Sequence, residues 1–247
     1  MLECLQKHPF GVKAFFKQSI VLTFAFPKEL LESYIPPCLQ LDTFKNKWAF
    51  IAIAFVETEK LRPAALPEFL GRNFILSGYR IFVTYTNNNG KRLRGLYILQ
   101  SETNSKMMNL MGEILTKYKY YFTDISIHNQ NNNIFIKSVK SDYYVEAVKY
   151  DNDEVSLPIH SPFENWKEAR RFAGPLPFTF SYNHKTKQVL IVEGVRENWK
   201  PNPLEIINYH TAFFSTKKLP EPVLANAFII DNIPYNWKKG KIELWKG

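Results

Sequence analysis

Lys117-Tyr118-Lys119-Tyr120-Tyr121 sets amines between phenols where an amphipathic helical pattern gives way to a β-like run. A lysine amine attacks a carbonyl to form a Schiff base once burial or a neighbouring cation lowers its pKa by several units. In an extended segment Lys117 and Lys119 share one face, and the adjoining tyrosines could supply protons. The competing reading is structural: lysines often finish an amphipathic helix because they complement its dipole. That reading is the commoner one, and it leaves Lys119 and Lys117 as candidate nucleophiles only.

Arg80 interrupts the alternating run Tyr79 to Thr86, in which Tyr79, Ile81, Val83 and Tyr85 share a face. Turned inward, its guanidinium fork can hold a carboxylate or phosphate bidentately. Turned outward, it is an ordinary solvent-facing residue of an antiparallel sheet. Glu102 is a candidate partner for Arg80 or a general acid, or it simply begins the next helix, where carboxylates are favoured. The five histidines (His8, His128, His160, His184, His210) are scattered, with no pair at zinc-site spacing. The chain has no Gly-x-Ser-x-Gly elbow, phosphate-cradling loop or dinucleotide fingerprint. No metal site and no cofactor are predicted.

These residues must be positioned by a mostly β framework. Phe15 to Phe26 reads as a strand ended by Pro27, and Pro27 to Ile35 as a short helix stopped by Pro36-Pro37. Leu39 to Phe44 and Trp48 to Val56 suit a hairpin around Lys45-Asn46-Lys47. Asn87-Asn88-Asn89-Gly90 turns the run from Tyr79 back into Gly95 to Ser101. Met107, Leu110, Met111, Ile114 and Leu115 then repeat at helical spacing, a stripe read as core packing. Tyr121 to Ile127, Asn133 to Val139 and Tyr143 to Tyr150 are further strands. A helix over Pro162 to Arg171 is capped by Ser161 and broken at Gly174-Pro175-Leu176-Pro177. Phe178 to Asn183 and Gln188 to Glu193 form a hairpin, Leu204 to Phe214 and Val223 to Ile230 are strands, and Pro234 to Gly240 is a loop. Many strands around one principal helix predict an α+β, mainly antiparallel, barrel-like fold in a single domain over residues 1–247.

Composition bounds what the framework can do. With 45% hydrophobic and 22% charged residues, the 247-residue chain is an ordinary globule rather than a disordered one. Its net charge of +9 attracts acidic ligands, nucleic acid or anionic surfaces. No diagnostic nucleic-acid motif accompanies that charge, so it is read as a solvated basic surface. Cys4 and Cys38 make neither a disulfide framework nor a metal pair, which fits a reduced, cytoplasmic setting. Met1 to Phe16 carries Glu3, Lys7, His8 and Lys13 and so lacks an apolar signal core. Nowhere do about 18 apolar residues run together, so no membrane span is predicted.

Several blocks resemble the uncharacterised YqjF-like family, a domain of unknown function related to acetoacetate decarboxylase. They are Val21-Leu22-Thr23-Phe24, Pro27-Lys28-Glu29-Leu30-Leu31 through Pro36-Pro37, Leu39 to Phe44, Tyr79-Arg80-Ile81-Phe82-Val83, Gly95-Leu96-Tyr97 and Ala169-Arg170-Arg171-Phe172. The resemblance implies a curved, largely antiparallel sheet closing into a cone or barrel around an internal cavity. Acetoacetate decarboxylases follow their principal helix with Pro-Lys-Lys, whose first lysine forms the Schiff base while the second lowers its pKa. Here Lys119-Tyr120-Tyr121 aligns with that motif, so tyrosines stand at both lysines. The pocket glutamate aligns with Leu76, and the arginine near the first strand falls close to Lys17, which keeps the charge but not the fork.

The resemblance therefore implies the shell without the decarboxylase machinery. Two functions remain open: binding of a small organic, acidic molecule in the cavity, by Arg80, Glu102, Tyr120 and Lys17, or a lyase or carbonyl-processing enzyme with Lys119 or Lys117 as its amine. A nucleic-acid or protein interaction module ranks below both.

Overall fold

The computed structural model describes residues 7–116, 118–150, 155–196 and 199–246. The first part of the chain builds long strands: β1 (Val12–Pro27), the two-residue β2 (Gln40–Leu41), β3 (Trp48–Pro63), β4 (Arg72–Thr86) and β5 (Arg92–Thr103). Helix α1 (Lys106–Leu115) and the short β6 (Tyr120–Phe122) follow. A meander of β7 (Ser126–Gln130), β8 (Asn133–Ser138) and β9 (Tyr143–Lys149) comes next. Helix α2 (Trp166–Ala173) leads into the hairpin of β10 (Phe178–Asn183) and β11 (Gln188–Arg196). Then come β12 (Asn202–Thr211), the single turn α3 (Phe213–Thr216), β13 (Val223–Trp237) and β14 (Lys241–Leu244).

Hydrogen bonding orders the strands β14-β11-β10-β5-β4-β3-β1-β13-β12-β9-β8-β7, with β2 added on β4 and β6 on β5. The β10–β5 and β5–β6 pairs are parallel, so the sheet is mixed, though mostly antiparallel. This corrects the expected cone or barrel with one principal helix. The strand path has ends at β14 and β7, and β13 meets β11 only over Gly194–Arg196, because β14 occupies the same edge of β11 over Gln188–Ile191. The helical content is likewise distributed over α1, α2 and α3 rather than gathered in one element.

The central strands are covered on both faces. Ala49 to Val56 of β3 are all buried, which explains a nearly continuous apolar run instead of an alternating one. Ile51, Ile53 and Phe55 join Phe24, Tyr79, Ile81 and Val83 in the main core, which the β8–β9 residues Ile136 and Val145 cover from the other side. Each such side chain contributes about 1.5–3 kcal/mol by leaving water. The opposite face carries Ala52, Ala54 and Val56, and at one end an aromatic plug of Phe50, Phe82 and Phe163 packed on Ala169 and Ala173 of α2. Phe50 and Phe163 stack there with ring centroids 5.5 Å apart.

Several local expectations are corrected. Pro27 to Ile35 forms two 3-10 turns, Lys28–Leu30 and Glu32–Tyr34, rather than a helix. The expected turn at Lys45-Asn46-Lys47 is present, closed by an antiparallel bridge between Phe44 and Trp48, but β2 pairs with β4 instead of extending that hairpin along β3. The cap of α2 is Asn165, whose side chain accepts from Glu168 N at 2.9 Å, while Ser161 donates to the Ala225 carbonyl at 2.7 Å. Pro234 lies within β13, opposite Phe15, rather than in a loop. In α1, Met107, Leu110 and Met111 are exposed, so that apolar stripe is not buried in the core.

Candidate ligand-binding site

A cavity of about 380 Å³ lies against the face of the sheet opposite the main core, lined from β1, β3, β4, β5, β10, β11 and β13 and from α1. Small side chains make the room: Ala52 and Ala54 of β3 and Ser19 of β1 stand where larger residues would fill it. The Phe50–Phe82–Phe163 plug lies at one end of the strands. At the other, Phe10, Leu70 and Met107 line the cavity and are also exposed to solvent.

Arg80 is on the cavity side. The odd residues Tyr79, Ile81 and Val83 of β4 face the core, so the even ones, Leu76, Arg80 and Phe82, face the void. Arg80 is half-buried, and desolvation pulls its pKa down, with the phenols of Tyr235, Tyr120 and Tyr118 acting the other way. Its Nε is buried without a hydrogen-bond partner, and no carboxylate among the described residues pairs with it. Two further orphaned polar atoms, Trp199 Nε1 and His8 Nδ1, belong to residues lining the same cavity. Among the described residues the lining holds four arginines (Arg62, Arg72, Arg80, Arg196) and neither lysine, aspartate nor glutamate. Of these four, Arg62 is paired with Glu68 at 3.7 Å, so the charge facing the cavity rests mainly on the other three.

Three glycines create the seats of the polar lining. A Cβ on Gly78 would stand 2.9 Å from Arg80 Nε, one on Gly112 of α1 2.2 Å from the Tyr120 ring, and one on Gly194 2.1 Å from the Tyr235 hydroxyl. Tyr120 sits on β6 beside Ser101 of β5 and is buried, which pushes its phenol up to about 12. It is therefore a neutral O–H donor at ordinary pH. Tyr118 also lines the cavity, and burial raises its pKa too. Arg196 is held differently: it donates to the carbonyls of Pro175 (2.7 Å) and Leu176 (3.4 Å) and stacks 4.4 Å from the Trp199 ring.

The remaining predicted site residues are elsewhere. Glu102 is buried but on the far face of β5, where it accepts from Ser77 Oγ (2.8 Å), Tyr79 OH (3.2 Å) and Gln100 Nε2 (2.9 Å). A register shift between Tyr79 and Arg80 in the β4–β5 pairing accompanies this separation, so Glu102 and Arg80 do not meet. Lys17 is on the surface in an ion pair with Glu57, Nζ to Oε1 2.9 Å. Lys119 is exposed, with positive φ, and does not line the cavity. Lys117 lies outside the described residues, as does Cys4. Cys38 is a buried free thiol, its pKa pushed up to about 11 by burial. Among the described residues no cluster of His, Cys, Asp or Glu could hold a metal ion, and no helix is long and apolar enough to cross a membrane.

Sequence reasoning missed Tyr235, Trp199 and Arg196, which reach the site from β11, β13 and the segment between β11 and β12. One signal was available: Gly78-Tyr79-Arg80 places a residue without a side chain next to a long one on the same strand face.

The fold is similar to those of acetoacetate decarboxylase and of enzymes that share its architecture. It is similar to acetoacetate decarboxylase from Legionella pneumophila at a TM-score of 0.61 and 10% identity, over 95% of this chain and 88% of that one. A structure of the enduracididine biosynthesis enzyme MppR complexed with pyruvate matches at 0.58 and 7%, over 95% and 90%. An acetoacetate decarboxylase-like enzyme from Sphingomonas wittichii matches at 0.56 and 10%, over 97% and 94%. The chain itself belongs to the DUF2071 family of uncharacterized conserved proteins, whose model matches residues 14–231, in agreement with its YqjF-like blocks. No curated protein matches it by sequence.

Proposed function

We propose that this protein binds a small organic acid in the cavity, with the carboxylate on Arg80, and does so without a Schiff base. The observation that carries the reading is the half-buried, cavity-lining Arg80, whose Nε is buried without a partner and which has no acidic partner among the described residues. An isolated buried cation costs several kcal/mol, a cost that an anionic ligand offsets through charge-assisted, bidentate hydrogen bonds. Tyr120 and Tyr118 stand on the same cavity wall as neutral phenols able to add O–H donors. The pyruvate in the MppR complex supports an acidic ligand on this scaffold.

Lys119 has no covalent part in this reading, because an exposed ammonium lacks the desolvation that makes a lysine nucleophilic. Where the resemblance implies the Schiff-base lysine stands Tyr120, and a phenol forms no imine. The test is calorimetric titration of carboxylates and their amides into wild type and Arg80→Met. Carboxylates should bind wild type and lose at least about tenfold in the variant, and amides should bind neither. Equal binding by both proteins sinks the assignment. Borohydride reduction in the presence of a β-keto acid should leave no adduct, and an adduct mapped to Lys119 or Lys117 would transfer the chain to the amine-nucleophile class.

A further inference from the structure

Resting on that reading, we infer that the bound acid is a monocarboxylate with a long apolar tail, its head on Arg80 and its tail directed along the sheet toward Phe10, Leu70 and Met107. The placement of charge along β4 carries the inference. Arg72 and Arg80 are on the same strand and both line the cavity, eight residues apart. At a rise of about 3.3 Å per residue, the strand between them covers about 26 Å. Between these two arginines the wall is mostly apolar: Val56, Phe74, Leu76 and Phe228 line it, with the hydroxyls of Ser19, Thr58 and Ser101 among them. A three-carbon keto acid on Arg80 would touch little of that surface, whereas a cavity of about 380 Å³ is of a size that encloses a drug-sized molecule.

The open end has the same character. Phe10, Leu70, Met107 and Met111 line the cavity and are exposed to solvent at once, with exposures of 36%, 47%, 45% and 41%. An exposed apolar rim is unfavourable in water, and it becomes intelligible where an aliphatic chain passes through it. Methionines suit that task, because an unbranched thioether adapts to a flexible chain. Two residues of the predicted α1 stripe, Met107 and Met111, thus line a mouth instead of the core. Arg72, also on the lining, adds positive charge that draws an anion in from solvent, whereas Arg62 is paired with Glu68 at 3.7 Å.

The experiment is a chain-length series (acetate, pyruvate, hexanoate, octanoate, decanoate) with decanol as the uncharged control, titrated into wild type and Arg80→Met below the micellar range. Affinity should rise about fourfold per added methylene, as expected for burying each in an apolar wall. Decanol should bind at least about tenfold more weakly than decanoate, and Arg80→Met should reduce decanoate to the decanol level. Affinity that is flat with length but still lost in Arg80→Met overturns the tail and leaves acid binding intact. If no acid in the series binds, both readings fall. If decanol equals decanoate in both proteins, the cavity is an apolar pocket in which Arg80 has no part, and the inference is overturned.

Discussion

Gly78 lies two residues before Arg80 on the cavity face of β4, and a Cβ added there would come within 2.9 Å of both Nε and Nη2 of the guanidinium. The arginine thus lies back along its own strand, into space that only glycine leaves open, instead of extending across the void. That posture sets where an anion can be received.

Gly78→Ala should separate folding from binding. The backbone at Gly78 does not have positive φ, so alanine fits its conformation, and the clash falls on the far end of a flexible side chain. Stability should change by no more than about 1 kcal/mol in urea denaturation, while carboxylate affinity drops at least about tenfold. Unchanged affinity would mean that this seat does not position the guanidinium for binding.

Arg80→Met should stabilise the ligand-free protein. Replacing a half-buried cation that has no acidic partner among the described residues by an apolar chain of similar length removes part of a desolvation cost and should add up to about 1 kcal/mol, read from urea midpoints. A loss of stability would indicate that Arg80 is already satisfied within the apo protein.

Glu102→Gln should do the reverse. Its carboxylate accepts from Ser77, Tyr79 and Gln100 on the core-facing side, so a neutral amide weakens charge-assisted hydrogen bonds and costs about 1–2 kcal/mol. Acid affinity should stay within about twofold, since the residue does not line the cavity. A tenfold loss would place Glu102 in the site after all.

Gly112→Ala tests the seat of Tyr120. The added methyl meets a ring packed beneath α1 at 2.2 Å, and a buried aromatic cannot swing aside as an arginine tip can. The overpacking should cost about 1–3 kcal/mol despite the gain of about 1 kcal/mol in helix propensity. A net rise in thermal midpoint would show that the helix simply moves away.

His8 should give the fold an acid-side weakness. Burial holds its pKa below the ordinary 6.5, so the unfolded chain takes up a proton more readily in the window just below that value. Stability from this group is present above pH 6.5 and is lost as pH falls toward the folded-state pKa. His8→Gln should flatten the slope of urea midpoint against pH in that window, and an identical slope would remove His8 as its source.

Much of the framework was legible because local chemistry dictates it. The Asn87–Gly90 turn, the alternation of Tyr79, Ile81, Val83 and Tyr85, and the helical period of Met107 to Leu115 all appear in the structure as β4, β5 and α1. The alternation also implied that Arg80 faces away from the main core. It did not say what lies on the other side, because the two faces of a strand are equivalent until other strands pack on one of them.

What the sequence by itself determined was most of the long strands, the helical period of α1 and Arg80 as a lone charge in an apolar strand. Only tertiary structure decided that Glu102 and Arg80 part company across β5, that Lys17 finds Glu57, and that the sheet path ends in edges. It also brought Tyr235 and Trp199 to a cavity that Arg80 enters from β4, a strand more than a hundred residues earlier. Hydrophobic period is a property of a few consecutive residues, whereas register, bulges and enclosed volume arise only when distant strands pair, and no local pattern encodes which ones will.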